Sequence, residues 1–193
     1  MNKKIILAVT LFVLLLIAVP FVQGLFFAQQ TTGKIMINKP INAPYLKDTN
    51  KDLTLIFFGY VGCVRVCTPI LHQLDDLYDS SAFAPLKPFV GVSFINLMPE
   101  LGTNQPQAFA ESFNPQFEGV YLTQKELMGI DREFSVFFSK SLSEKGEIDH
   151  SDHLYLIERD NSGLVVLKNI YTTHPINKAL IVSDIQKLLN EKK

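Results

Sequence analysis

Runs of hydrophobic residues separated by polar positions divide residues 52–193 into predicted strands and helices. Residues 53–60, LTLIFFGY, form a continuous apolar and aromatic run, which is typical of a central strand buried on both faces. Residues 68–79, TPILHQLDDLYD, repeat apolar positions at helical spacing, with Thr68 as the predicted N-cap and Pro69 in the first turn. The pattern therefore predicts a buried strand, a short loop and an amphipathic helix in succession.

The same alternation continues through the rest of the chain. Further strands are predicted at residues 34–38, 88–97, 117–122, 153–158 and 164–171. Further helices are predicted near residues 105–113, behind a capping box of Thr123 and Glu126, and from residue 176 to 189. The helix behind the capping box is expected to bury Leu127, Ile130, Phe134 and either Phe137 or Phe138.

The order of these elements predicts the fold class. Strands that alternate with helices indicate an α/β domain with a mainly parallel sheet flanked by helices, and residues 153–171 add an antiparallel hairpin. A cysteine pair directly after the first central strand, with a hairpin and a helix at the end, is the thioredoxin-like arrangement. We therefore predict a thioredoxin-like fold with a central mixed sheet for residues 52–193.

An uncharged segment of about 23 residues, Ile5 to Phe27, precedes this domain. A helix of this length crosses the ~30 Å hydrocarbon core of a bilayer, and Lys3 and Lys4 would stay on the cytoplasmic side. A cleaved signal peptide is the alternative, because VQG at residues 22–24 resembles a weak cleavage site. We predict a transmembrane helix within residues 1–28. It would make the chain a single-pass protein of the cytoplasmic (inner) membrane with its soluble domain in the periplasm.

Residues 29–51 are polar and interrupted by Pro40 and Pro44, so they are predicted to be a tether.

The chain has 193 residues with 47% hydrophobic content, which suffices for one well-buried domain. The net charge of -1 and the scattered basic residues give no reason to expect a nucleic acid partner.

Cys63 and Cys67 are the only two cysteines, and they fall in the predicted loop between strand and helix. In an exported protein a structural disulfide is the default interpretation of a pair. A bridge across three residues, however, closes too small a loop to stabilise the fold much. Cys67 falls at the predicted helix N-terminus, where the helix dipole favours a thiolate, and Arg65 adds positive charge. The pattern indicates a reactive or metal-ligating pair that can also form a disulfide.

Two thiolates are soft ligands suited to Cu(I), and one imidazole would complete a trigonal site. Of the four histidines, His72 falls on the polar face of a helix and His174 precedes a proline in a turn. His150 and His153 lie at the start of the penultimate strand, where a thioredoxin-like fold places the loop opposite the cysteines. Spacing alone leaves His150 and His153 as alternatives for the third ligand.

The segments TLIFFGYVGCVRVCTPILHQL and IDHSDHLYLIERD resemble the Sco/SenC family of membrane-anchored copper chaperones for cytochrome c oxidase assembly. The resemblance extends over residues 34–190, and FEGVYLTQKEL is similar to the Phe-x-Gly-Leu-Thr-Gly segment of the family. It implies copper, as Cu(I) or Cu(II), bound by Cys63, Cys67 and His150, with Asp149 supporting the histidine. It also implies a partner, either a cytochrome c oxidase subunit or another copper protein.

The chain departs from the family pattern at two places. The family usually has Pro-Asp-Val between the cysteines and Pro directly after them, whereas this chain has VRV at residues 64–66 and then Thr68. The acidic Ser-Val-Asp-Pro-Glu stretch of the family is GVSFINLMPELG here, so Ile95 or Asn96 stands where an aspartate is expected. The resemblance therefore predicts a divergent member.

Three functions follow from these observations. The first is a copper-binding chaperone and thiol-redox protein that assists assembly of an oxidase copper centre. The second is an enzyme, an exported thiol-disulfide oxidoreductase that uses Cys63 and Cys67 as a redox-active pair without a metal. The third is a non-catalytic scaffold in which the pair forms a disulfide.

Overall fold

The computed structural model describes residues 3–5, 9, 12–16, 18–19, 33–46, 51–142, 144, 146–160 and 162–192. The chain divides into two compact units, Met1–Lys34 and Ile35–Lys193. In the first unit, the described residues from 3 to 19 are helical. No helix within the described ranges is long and apolar enough to cross a bilayer. Much of the predicted membrane segment, Ile5 to Phe27, lies outside these ranges.

The remaining described residues form an α/β domain. Its strands are β1 (Lys34–Ile41), β2 (Leu53–Gly59), β3 (Val90–Asn96), β4 (Phe117–Val120), β5 (Phe138–Lys140), β6 (Ile148–His150), β7 (Leu154–Arg159) and β8 (Val165–Tyr171). Its helices are α1 (Cys67–Tyr78), α2 (Gln105–Glu111), α3 (Gln124–Leu127), α4 (Ile130–Phe134) and α5 (Lys178–Glu191). Short 3₁₀ turns occupy Pro44–Leu46 and Ala84–Leu86.

Among the described residues, six strands form one mixed sheet in the order β1-β8-β7-β2-β3-β4. β2, β3 and β4 are parallel, whereas β7 is antiparallel to both β2 and β8. The predicted mixed sheet with a terminal antiparallel hairpin is confirmed. β1 lies at one edge of this sheet, so residues 34–41 of the segment assigned to the tether belong to the sheet.

β2 lies at the centre of the sheet, and its side chains point alternately into two separate hydrophobic clusters. Leu55 and Phe57 pack with α1 and α5 on one face. Ile56 and Phe58 pack with α3 and α4 on the other face. Every residue of β2 is buried, which confirms the prediction of a strand covered on both faces. The end of this rigid strand carries the cysteine loop.

The helix predicted behind the capping box is shorter than expected. The capping box of Thr123 and Glu126 is present, and Leu127, Ile130 and Phe134 are buried as predicted. The segment is nevertheless two short helices, α3 and α4, and the second ends at Ser135, whose φ of 58° is left-handed. Of the two phenylalanines predicted as alternatives, Phe138 packs against the same cluster, but from β5 and not from a helix, whereas Phe137 is 62% exposed.

Two local features also differ from the sequence prediction. α1 begins at Cys67 with Val66 as its N-cap, so Thr68 lies inside the first turn. The Thr68 hydroxyl donates to the Cys63 carbonyl at 3.0 Å instead of capping the helix. The short hairpin of β5 and β6 was not predicted, and it places His150 on a strand instead of a loop.

Candidate metal centre

The loop between β2 and α1 brings the two thiols together. Gly62 has a φ of 89°, a conformation that favours glycine, and the Cys63 N–H donates to the Tyr60 carbonyl at 3.2 Å. Cys67 is the first residue of α1, and its backbone N–H donates to the Cys63 Sγ at 3.3 Å. The Cys63 sulfur therefore lies at the N-terminus of α1, where unpaired N–H groups favour an anion.

The hairpin of β5 and β6 presents His150 to the thiols. His150 pairs with Phe138 across the hairpin, and its Nδ1 hydrogen bonds with the Ser151 carbonyl at 2.9 Å. Because a carbonyl only accepts, Nδ1 carries the proton of the neutral imidazole and Nε2 carries the lone pair. Nε2 lies 3.6 Å from the Cys67 Sγ. This is the tautomer in which a histidine binds a metal through Nε2.

Cys63, Cys67 and His150 form one group whose ligand atoms all lie within 4.8 Å of one another. Both cysteines are free thiols and are buried, and His150 is half-buried with its ring edge-on to Phe57 and Tyr60. Two sulfurs and one imidazole can hold a soft metal ion in a trigonal arrangement. The same two sulfurs are close enough to oxidise to a disulfide after a small movement.

The two thiols differ in acidity, and the thiolate is not at the predicted cysteine. A hydrogen bond from Cys67 holds the pKa of the Cys63 thiol well below its usual range, against the effect of burial, and His150 adds a second hydrogen bond when its ring is protonated at both nitrogens. The hydrogen bond to Cys63 and burial raise the pKa of Cys67. The prediction of a thiolate at Cys67 was wrong, because the N-terminus of α1 faces the sulfur of Cys63. Burial alone would lower the pKa of His150, but hydrogen bonds to Cys63 and Ser151 raise it.

We expect Cys63 to react with iodoacetamide before Cys67. Cys63 lines an open cavity, whereas Cys67 is fully buried. An ordinary thiol with a pKa near 8.5 is less than about 1% thiolate at pH 6, so labelling of Cys63 should persist at a pH where ordinary thiols stop reacting. Trypsin cleaves after Arg65, so mass spectrometry reads the two thiols in different peptides. Faster labelling of Cys67 at pH 6 would contradict this assignment.

The cavity over the thiols has a volume of about 350 Å³ and a charged rim. The Arg65 guanidinium forms ion pairs with Glu144 at 2.6 Å and Glu147 at 3.5 Å. These two carboxylates offset the positive charge that the sequence led us to expect beside the thiols. Arg65 therefore ties the cysteine loop to the residues before β6, and the N-terminus of α1 supplies the polarity that favours the thiolate.

The other histidines lie elsewhere in the structure. His72 is on α1, edge-on to Phe113. His153, the alternative third ligand, contacts Asp152, which also contacts His174. The structure thus places His150, and not His153, beside the two thiols. Spacing in the sequence had left both histidines as alternatives for the third ligand.

The sequence profile described as SCO1/SenC matches residues 45–190 of this chain. The chain belongs to the SCO1/SenC family. The mitochondrial SCO1 homologue of Homo sapiens is 26% identical over 149 residues, which cover 75% of this chain and 47% of that protein. An SCO2-like protein of Rickettsia felis is 22% identical over 132 residues, which cover 62% of this chain and 58% of that protein. The chain spans about half the length of these curated relatives.

Solved Sco structures share the fold. Apo Sco1 from Thermus thermophilus has a TM-score of 0.62 and 24% identity, covering 80% of this chain and 94% of that one. ScoI of Bradyrhizobium japonicum with copper bound has a TM-score of 0.59 and 23% identity, covering 78% and 98%. The predicted thioredoxin-like architecture is therefore confirmed for the α/β domain. Sco proteins have been solved with copper bound, and Cys63, Cys67 and His150 form a group that can hold a metal.

Two polar residues lie where the family resemblance gave an expectation, Asn96 at a departure from the family pattern and Asp149 within a matching motif. Asn96, at the end of β3, is fully buried. Its Oδ1 accepts from the Val61 N–H at 3.3 Å and its Nδ2 donates to the Met98 carbonyl at 2.7 Å, which links β3 to the start of the cysteine loop.

Asp149, expected to support His150, is exposed, because alternate side chains of β6 point to opposite sides. The Ser151 carbonyl, and not the Asp149 carboxylate, accepts the hydrogen bond from the Nδ1 of His150.

We expect Asn96→Asp, which introduces an aspartate at one of the two positions where the family pattern calls for it, to lower the free energy of unfolding by about 1–3 kcal/mol at neutral pH. A buried carboxylate can still accept from Val61 but would face the Met98 carbonyl without a proton to donate. Burial would raise the pKa of the introduced carboxyl above its unfolded value near 3.9, so the loss should shrink as the pH falls towards 4. Urea unfolding at two pH values measures both effects.

The matched control is Asn104→Asp at the exposed N-cap of α2, which should change stability by less than about 0.5 kcal/mol. Equal effects at the two positions would show that the hydrogen bonds of Asn96 do not stabilise the cysteine loop.

Proposed function

We propose that this chain is a copper-binding chaperone and thiol-redox protein that assists assembly of the copper centre of a cytochrome c oxidase. The observation that carries the proposal is the group of Cys63, Cys67 and His150, with all ligand atoms within 4.8 Å. Membership of the SCO1/SenC family and the copper-bound ScoI neighbour support copper as the ion. Copper is the cargo of such a protein, passed to an oxidase subunit or another copper protein.

The donor set favours Cu(I). Two sulfurs and one imidazole are soft enough for Cu(I) and can surround it in a trigonal plane. Two of the three donors are held before the metal binds, since Cys67 is anchored in α1 and the Ser151 carbonyl fixes the His150 ring. Binding two thiols releases their protons, so copper affinity should rise with pH until both are ionised.

The exposure of the three donors suits transfer of the ion. Cys63 and His150 line the open cavity, and Cys67 lies buried beneath them. The thiolates of a client protein could approach from the cavity and replace Cys63 and His150 first. A stepwise exchange of this kind lets copper move without release into water.

The experiment that tests this function is copper binding by the reduced chain and by His150→Ala. The wild type should bind one Cu(I), and His150→Ala should weaken binding by roughly tenfold or more. With Cu(II), the variant should lose the thiolate-to-copper charge-transfer absorption. His153→Ala is the matched control and should keep both the Cu(I) affinity and that absorption. Absence of copper binding by the wild type would reject the proposal.

A second candidate function is metal-independent thiol-disulfide exchange, and the acidity of Cys63 favours it. A Cys63 thiolate at the cavity could attack a client disulfide, forming a mixed disulfide and releasing one client thiolate. Cys67 would then attack Cys63 and release the second client thiol. The client gains two electrons and two protons, and the chain becomes a disulfide. Disulfide reductase activity retained in His150→Ala, with no copper bound by the wild type, would favour this function.

The proposal includes the location of the chain. Residues 1–28 would form a membrane anchor, and the folded domain, which includes β1 from the segment predicted as a tether, would face the periplasm. The uncharged run from Ile5 to Phe27 supports this. Extraction of membranes with carbonate is the test, since an inserted chain stays in the pellet and recovery in the supernatant would reject the anchor.

A further inference from the structure

A second group of metal-binding side chains lies beside the strand β7. Asp152 and His153 precede β7, and His174 follows β8. The antiparallel register pairs Leu154 with Tyr171, so the start of β7 and the end of β8 are neighbours. The fold therefore brings together residues that are about 20 positions apart in the sequence.

Asp152 lies between the two imidazoles. Its Oδ1 is 3.4 Å from Nδ1 of His153, and its Oδ2 is 3.1 Å from Nε2 of His174. One ligand atom from each of the three residues lies within 4.8 Å of the others. The three side chains are 32% to 41% exposed, which leaves room for water or an exchangeable ligand.

The environment of the His153 ring also points to a ligand. Its Nδ1 is buried, and its contact with Oδ1 of Asp152, at 3.4 Å, is longer than an ordinary hydrogen bond. A buried polar atom without a partner is costly unless something else satisfies it.

We propose that Asp152, His153 and His174 bind a divalent transition-metal ion of borderline softness, Cu(II) or Zn(II), at a site separate from the thiols. Two imidazoles and one carboxylate are donors for such ions, whereas the thiolate pair favours Cu(I). The chain would thus offer divalent ions a thiolate-free site in addition to the thiol group. This site does not depend on the function proposed for Cys63, Cys67 and His150.

Co(II) is the probe that distinguishes the two sites. Thiolate ligands give Co(II) intense charge-transfer absorption in the near ultraviolet, whereas nitrogen and oxygen ligands give only weaker visible bands. The reduced full chain should bind two equivalents of Co(II) or Zn(II), with both kinds of absorption. His174→Ala and His153→Ala, made separately, should each abolish binding of the thiolate-free equivalent or lower its affinity at least tenfold. Both variants should keep the charge-transfer absorption of the thiolate site.

The full chain with Cys63→Ser and Cys67→Ser isolates the second site and should bind one equivalent. His72→Ala in that background is the matched control, since His72 is a histidine on α1 outside both groups, and it should retain binding. Circular dichroism checks the fold of each variant. If wild type and the cysteine-free chain both lack the thiolate-free equivalent, or if it survives His174→Ala and His153→Ala, the proposal is wrong. Neither outcome alters the copper test on His150.

Discussion

Gly119→Ala should destabilise the fold by about 3 kcal/mol or more, the largest stability effect that we expect from a single methyl group. A Cβ at Gly119 would lie 2.0 Å from the Pro106 carbonyl oxygen and 2.3 Å from the Gln107 nitrogen. These are backbone atoms at the start of α2, so no side chain can rotate to make room. α2 would have to move away from β4 as a whole.

That movement would also break a hydrogen bond. The Gly119 N–H donates to Oε1 of Gln107 at 2.7 Å, and Nε2 of Gln107 donates to the Phe117 carbonyl at 3.4 Å. These two bonds fasten α2 to the edge strand, and Ala110 and Phe109 pack against the core behind them. We expect the urea midpoint of the full-length variant to fall in proportion to the loss in stability, with little change in the slope.

Gly129→Ala is the matched control. The closest atom to a Cβ there is the Glu126 carbonyl oxygen at 3.7 Å, an ordinary contact, and the residue has a negative φ. Alanine at this position should change stability by less than about 1 kcal/mol, and a small gain is the physical expectation. Similar losses at Gly119 and Gly129 would show that close packing of α2 on β4 is not the cause.

The sequence predicted elements where one periodicity dominates the segment. β2 is apolar on both faces and α1 has one apolar face, so both were found within a few residues. The hairpin of β5 and β6 was missed, because its three-residue strands are too short for a period to appear. The break between α3 and α4, at Met128 and Gly129, was missed as well, and so was the end of α4 before the left-handed Ser135, which no pattern marks.

The residues of the candidate site were predicted from the sequence, but the relative acidity of its two thiols was not. The spacing of Cys63 and Cys67 indicated a reactive or ligating pair, and resemblance to the family selected His150. Which sulfur faces the N-terminus of α1 depends on how the loop folds back, and that is a property of backbone geometry. The carbonyl of Ser151 was also beyond prediction, because every residue has a carbonyl and sequence does not distinguish them.

Gly59 shows the same dependence on geometry. A Cβ at this last residue of β2 would lie 2.7 Å from the Cys67 Sγ and 3.1 Å from the Phe94 ring. The glycine in FFGY therefore leaves the space that the buried sulfur occupies. Sequence placed this glycine at the end of a strand, and only the structure relates it to the metal-binding group.

Cys67→Ser should reduce Cu(I) affinity by more than about 100-fold in the reduced chain. Loss of a group that only orients a ligand costs roughly 10- to 100-fold, and Cys67 would supply a metal bond itself. Serine has nearly the same size, but its hydroxyl is a hard donor that remains protonated at neutral pH, so Cu(I) would keep only Cys63 and His150. Competition against a Cu(I) chelator of known affinity measures the change. Circular dichroism checks that the fold, in which Cys67 is fully buried, is retained.

Val64→Ser is the matched control, because Val64 lies in the same loop, is 72% exposed and belongs to neither metal-binding group. It adds a hydroxyl without removing a sulfur, and it should leave Cu(I) affinity within about threefold of the wild type. Cys67→Ser also separates the two candidate functions when copper binding and thiol exchange are measured together. A chaperone would lose copper binding. A metal-free oxidoreductase would bind no copper in either form, and its Cys67→Ser variant would remain joined to its client, because Cys63 could still attack but nothing would resolve the mixed disulfide.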